Sequence, residues 1–234
     1  MRGILYGVSV GPGDPELLTI KAKRVIEGCG VIAYPVRALG ERGVALDIVR
    51  GAADISGKRV LELVFRMTSD KAARAADYAG AINELTSALD RGDDVCMITL
   101  GDATVYSTFM RVGKDIEGMG YRMEVVPGVP SFCDGAARAK IPLAMGTEGL
   151  AVVSAAEGST LFRDALERFD NVVIMKAHGS IGEIHDEIDR LGGADAVVVS
   201  NVGLADQYIG PLDKDRGYGY FTTVIVKKRK GGGR

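Results

Sequence analysis

The chain has 234 residues, 47% of them hydrophobic, with 29 Lys and Arg against 31 Asp and Glu. That supplies the core of one large α/β domain or two small ones and excludes a disordered chain. A formal net charge of −2 lacks the basic excess that non-specific nucleic-acid binding requires, so no nucleic-acid partner is expected.

Taken in order, short β-type runs alternate with amphipathic helical stretches, the pattern of βαβ units. Ile4–Val10 reads as a strand and Pro15–Glu27 as the helix after it. Val31–Tyr34 is a second strand that Pro35 ends, followed by a short helix over Ala45–Arg50 and a strand over Arg59–Leu63. Ser69–Arg91 reads as a long helix that Asp70 can cap. Asp94–Leu100 is the most apolar strand, with a helix over about Val105–Glu117. Met123–Val126 is strand-like, and Pro127-Gly128-Val129-Pro130 turns into a small-residue helix, Ser131–Ala139. Leu150–Ser154, Val172–Met175, Ala196–Ser200 and Phe221–Lys227 supply four more strands, with helices at about 159–168 and 181–191. Two α/β domains, residues 1–117 and 121–234, fit this order better than one doubly wound domain. The end, Lys227 to Arg234, is basic and glycine-rich and reads as a solvated terminus.

Glycine is over-represented, 32 of 234 residues, roughly double the usual share. Tight turns and close backbone approaches, as in loops at a ligand site, follow from that. Cys29, Cys96 and Cys133 are far apart and form no CxxC pair, so free thiols are expected. The two histidines, His178 and His185, have no ligand-type cluster around them, and no metal site is expected. The apolar start is too short for a signal segment and no run approaches membrane-spanning length, which predicts a cytoplasmic protein without a membrane partner.

Three glycine-containing turns follow strands, two of them also with proline. Gly7 to Pro15 fails as a dinucleotide fingerprint, because Glu16 stands where a third glycine is needed and Pro12 and Pro15 carry no amide. Gly57-Lys58 fails as a phosphate loop, since Arg59 follows. Leu100 to Thr108 leaves the most apolar strand; there Gly101 permits close approach, and Asp102 suits either binding or capping the next helix. In Val126 to Phe132, Ser131 is a candidate helix cap. Such turns line a pocket with main chain and suit a neutral or cationic ligand better than a phosphorylated one.

Together these segments resemble the signature of the tetrapyrrole (corrin/porphyrin) methylases: Val10-Gly11-Pro12-Gly13-Asp14-Pro15-Glu16-Leu17-Leu18-Thr19, Gly101-Asp102-Ala103-Thr104-Val105-Tyr106, and Pro127-Gly128-Val129-Pro130-Ser131. Ser9 replaces the first glycine of that signature, and Ala103 stands where the family usually has proline. Val31 to Pro35, Phe65-Arg66-Met67-Thr68 and Pro130-Ser131-Phe132-Cys133 are most similar to the branch acting at C20 of precorrin-2 or cobalt-factor II. Pro35 occupies the place where uroporphyrinogen-methylating relatives carry an aspartate. The resemblance implies an α/β protein of two domains with a ligand cleft between them, and a homodimer. It implies S-adenosylmethionine as methyl donor, S-adenosylhomocysteine as product and a tetrapyrrole as substrate. Donor contacts carried over by position are Pro12, Leu100, Gly101, Asp102, Val105, Tyr106, Pro130, Ser131, Met175 and Gly203. Asp14 is the candidate proton acceptor. The substrate's carboxylates call for cations, for which Lys58 and Arg66 are the candidates. Other members of the family acting at another ring position, or a non-catalytic ligand-binding protein of the same fold, are the alternatives.

Overall fold

The computed structural model describes residues 1–229; the last residues of the basic tail, from 230 to 234, lie outside the described residues. The chain forms two compact units, residues 1–130 and 131–234.

The first unit is built from β1 (Ile4–Ser9), α1 (Ile20–Gly28), β2 (Val31–Val36), α2 (Val44–Ala52), β3 (Arg59–Val64), α3 (Lys71–Asp90), β4 (Val95–Thr99), α4 (Thr108–Gly118) and β5 (Arg122–Val126). The five strands form one parallel sheet in the order β3-β2-β4-β1-β5. Alternating side chains feed two cores, as a strand's period of two requires. Val8, Ile32, Cys96 and Ile98 pack against Ala22 and Ile26 of α1 and Leu46 and Val49 of α2. Leu5, Val31, Val95 and Met97 pack against Leu85 and Leu89 of α3 and Phe109, Val112 and Ile116 of α4. Both sheet faces are thus covered at the centre, which is why β2 and β4 read as near-continuous apolar runs, while the edge strands β3 and β5 carry exposed charged residues.

The second unit contains α5 (Ser131–Ala139), β6 (Leu150–Ser154), α6 (Leu161–Arg168), β7 (Asn171–Met175), α7 (Ile181–Arg190), β8 (Ala194–Ser200), β9 (Tyr208–Pro211) and β10 (Thr222–Lys228). Its sheet is mixed, in the order β6-β7-β10-β8-β9, with only the β6–β7 pair parallel. Helices α6 and α7 cover one face through Phe162, Leu166, Ile184 and Ile188. Helix α5 packs on β8, β9 and β10, and closely so: a Cβ on Gly135 would stand 2.8 Å from Val199 Cγ1.

Four expectations change. The division expected at 117–121 falls after Pro130, because β5 pairs with β1 from Ile4↔Arg122 to Val8↔Val126 and completes the first sheet. The helix expected from Pro15 is a 3-10 turn over Pro15–Leu17, and α1 begins only at Ile20, where Thr19 Oγ1 accepts the Ala22 N–H at 3.1 Å. Strand β2 runs through Pro35 to Val36, since its pairing with β4 ends at Ala33 and only β3 lies beside it further on. Strand β9, four residues with a glycine and a terminal proline, carries too little β-pattern to stand out in the sequence. All three cysteines are free. Among the described residues no helix is long and apolar enough to cross a membrane, and no cluster of three or more His, Cys, Asp or Glu side chains could hold a metal.

Candidate functional site

β1 lies between β4 and β5, and parallel strands put their carboxyl ends on one edge. The segments following the three strands therefore emerge side by side. Helix α1, which follows β1, packs on one face of the sheet, whereas α4, which follows β4, packs on the other. The adjoining ends of β1 and β4 are thus a topological switch point, where open α/β sheets bind ligands.

The three segments are knotted by short contacts. Gly11 N–H donates to Gly101 O at 3.2 Å, and Gly101 N–H donates back to Gly11 O at 2.7 Å. Both residues have positive φ, +78° and +72°, a conformation that only glycine adopts without strain. Ser9 is fully buried; its hydroxyl donates to Val126 O at 2.7 Å and accepts the Ala103 N–H at 2.8 Å. Asp102 is also buried, and its carboxylate accepts the N–H of Gly128 at 2.8 Å and both the N–H and the hydroxyl of Thr104. Burial alone raises this carboxyl's pKa, but these three bonds outweigh it and hold the group below the usual carboxylate range. Gly128 fits so tightly that an added Cβ would stand 2.5 Å from Ser9 Cβ and 3.0 Å from Gly101 O.

Several predicted site residues gain local explanations. Asp14 accepts the Glu16 N–H at 3.0 Å and so caps the Pro15–Leu17 turn. Pro12 is buried beside Gly11, and Leu100 packs against the α1–α2 core. Val105 closes a turn onto Asp102 O at 3.2 Å. Tyr106 is 48% exposed with φ +48°, a strained left-handed conformation for a bulky residue. Pro130 ends the first unit. Ser131 is the first residue of α5, inside the helix instead of preceding it.

Met175 and Gly203 belong to the second unit. β7 and β8 both run antiparallel to β10 and so parallel to each other, which puts Met175, at the end of β7, and Gly203, after β8, on one sheet edge. Gly203 has φ +75° and its N–H donates to Gln207 Oε1 at 2.9 Å, so its amide serves the turn.

The two expected cations sit at different edges of the sheet. Lys58 precedes β3, whose first residue, Arg59, pairs with the first residue of β2. Lys58 therefore lies at the amino edge of the parallel sheet, the opposite edge from the three knotted loops. Its ammonium donates to Glu27 O and Cys29 O, both at 2.7 Å, and holds the carboxyl end of α1. Arg66 does follow a strand end, but its guanidinium and backbone N–H are taken by Asp77, with Nη2 to Oδ1 at 2.6 Å and N to Oδ2 at 2.9 Å. Its guanidinium holds the Asp77 carboxyl below the ordinary range. Sequence reasoning missed Ser9 as a contributor; its one signal was a hydroxyl where the motif usually has glycine.

Comparison with known proteins settles the family. The profile of the Tetrapyrrole (Corrin/Porphyrin) Methylases matches residues 4–213. The chain belongs to that family. This methylase is 34% identical to a cobalt-precorrin-2 C(20)-methyltransferase from Salmonella typhimurium, over 98% of both chains. It is 32% identical to a probable cobalt-precorrin-2 C(20)-methyltransferase from Methanocaldococcus jannaschii, over 97% of this chain and 96% of that one. Its fold is that of the uroporphyrin-III C-methyl transferase from Thermus thermophilus complexed with S-adenyl homocysteine, with a TM-score of 0.72, 22% identity and coverage of 96% and 97%.

Proposed function

We propose that this protein transfers a methyl group from S-adenosylmethionine to C20 of precorrin-2, with the cobalt complex as preferred substrate, in cobalamin biosynthesis. The observation that carries this reading is similarity along almost the full chain to two proteins named for that methylation. The residues present fit the donor. The loops 10–14, 100–105 and 127–130 are walled by main chain, Asp102 spends its carboxylate internally, and no phosphate-binding pattern is present.

The bound donor supplies an electrophilic methyl group on a sulfonium. The chain's part is to hold both reactants, and alignment of this kind is worth on the order of 7–11 kcal/mol. The knotted loops suit that task because their positions are fixed by buried bonds before any ligand arrives. A reduced tetrapyrrole brings its own electron-rich carbon, so no protein nucleophile is required. One proton must leave the methylated carbon. Asp14 was the candidate to receive it, but its cap on the Pro15–Leu17 turn favours a bracing role. Asp14→Asn, whose amide oxygen can make the same cap, is then expected to keep kcat within about threefold, whereas loss of a general base costs roughly 10²–10⁴-fold. A homodimer belongs to the same proposal, tested by light scattering on the purified chain.

The test is an anaerobic assay with S-adenosylmethionine and either metal-free precorrin-2 or its cobalt complex. The expected product carries one new methyl at C20 by NMR, formed faster from the cobalt complex. A methyl at another ring position, or no S-adenosylhomocysteine formed, overturns the reading.

A further inference from the structure

Two residues far apart in sequence, Ser9 at the end of β1 and Ala103 after β4, touch each other. Ser9 Oγ accepts the Ala103 N–H at 2.8 Å across a sequence separation of 94 residues. A proline at 103 would have no N–H to give and a glycine at 9 no oxygen to receive it, so either substitution removes this bond.

We infer that Ser9 and Ala103 form a matched clasp that sets the spacing of the donor-binding loops, with Ser9 acting as a positioning residue. The inference rests on the donor reading above. Strands β4 and β5 are not neighbours, because β1 separates them, and strands two apart share no ladder bonds. Ser9, the last residue of β1, bridges the gap. The Ala103 N–H can only donate, so the serine proton is committed to Val126 O at 2.7 Å. The result is one continuous relay, Ala103 to Ser9 to Val126, from the loop after β4 to the end of β5. A second link runs beside it, from the Gly128 N–H to Asp102 Oδ2 at 2.8 Å. Residues 102–103 are thereby fastened to 126–128 twice. Ser9 is fully buried and acts through these loops, not by touching a ligand.

The arrangement also fixes what surrounds it. With Ser9 in place, its Cβ occupies the space that a side chain at position 128 would need, at 2.5 Å. Ala103 occupies the second position of the turn closed by the Val105 N–H onto Asp102 O, a position that favours proline. Ala103→Pro therefore keeps a residue the turn favours and removes the clasp's donor.

The experiment is a double-mutant cycle of Ser9→Gly and Ala103→Pro, read by calorimetric titration of the whole protein with S-adenosylhomocysteine. All variants are measured at a temperature where circular dichroism shows them folded. Each single change is expected to weaken binding by roughly tenfold, the scale of one or two buried hydrogen bonds, and to raise KM for the methyl donor while kcat at saturation changes little. The double variant is expected to match the singles, since each already breaks the same unit. Leu85→Ala, in the core of α3, lowers stability and keeps the wild-type affinity. Unchanged affinity in either single variant, effects that multiply in the double, or an equal loss in Leu85→Ala would each overturn the clasp. If the wild-type protein binds no S-adenosylhomocysteine, it is the donor reading that fails.

Discussion

A Cβ added at Gly128 would meet Ser9 Cβ at 2.5 Å and Gly101 O at 3.0 Å, and neither neighbour can retreat without moving β1 or the loop after β4. Gly128→Ala is therefore expected to lower unfolding stability by about 1–3 kcal/mol, the usual cost of overpacking. Urea denaturation measures it, and adding Ser9→Gly should recover part of the loss. Asp102 gives a pH signature. Its pKa is depressed in the folded protein, so its contribution is complete above the unfolded value, about 3.9, and is lost as pH falls through the lower folded value. Asp102→Asn is expected to cost about 1–3 kcal/mol near neutral pH, because an amide nitrogen would face N–H donors. That gap should shrink only below about pH 4; a gap that shrinks near pH 6 would mean that another group is responsible. At this scale the sequence offered Gly101 and Asp102 as donor contacts and Gly128 only as part of a turn, without the bonds that join them. The pairing of Ser9 with Ala103 was not legible, because it depends on two strands far apart in sequence ending beside each other.

Single elements explain which expectations carried through. The central strands of the first sheet stood out because both faces are buried, and α3 because Asp70 caps it, accepting the N–H groups of Ala72 and Ala73. The break between the Pro15–Leu17 turn and α1 was hidden, since Leu17 and Leu18 continue the apolar pattern while the true cap is Thr19. Lys58 is a different case: the substrate's carboxylates call for cations, but the residue before a parallel strand necessarily sits at the amino edge. Its ammonium meets the negative end of α1, an arrangement usually worth about 0.3–1 kcal/mol. Lys58→Met should accordingly lower Tm slightly and leave kcat and KM for the tetrapyrrole unchanged. A raised tetrapyrrole KM would return Lys58 to the substrate site.

Across the whole molecule, two units with different sheet grammars divide the work of folding. The first is parallel throughout and complete once β5 has paired with β1. The division expected at 117–121 falls later because β5, read as opening the second half, pairs along its length with β1. In the second unit, β10 lies in the middle, paired with β7 on one side and β8 on the other. Ile225 is 1% exposed there, and Ile225→Ala is expected to cost about 2–5 kcal/mol. Hydrogen exchange should register that loss in residues 131–229 and leave the amides of β1, β2 and β4 protected as before. The central position of β10 also governs biosynthesis. Without residues 222–228, β6-β7 and β8-β9 have no strand between them to join them into one sheet. A premature stop codon even a dozen codons upstream of Lys228 would thus release a finished first unit tethered to a sticky, unsealed second one, a product suited to proteolysis and not to partial function.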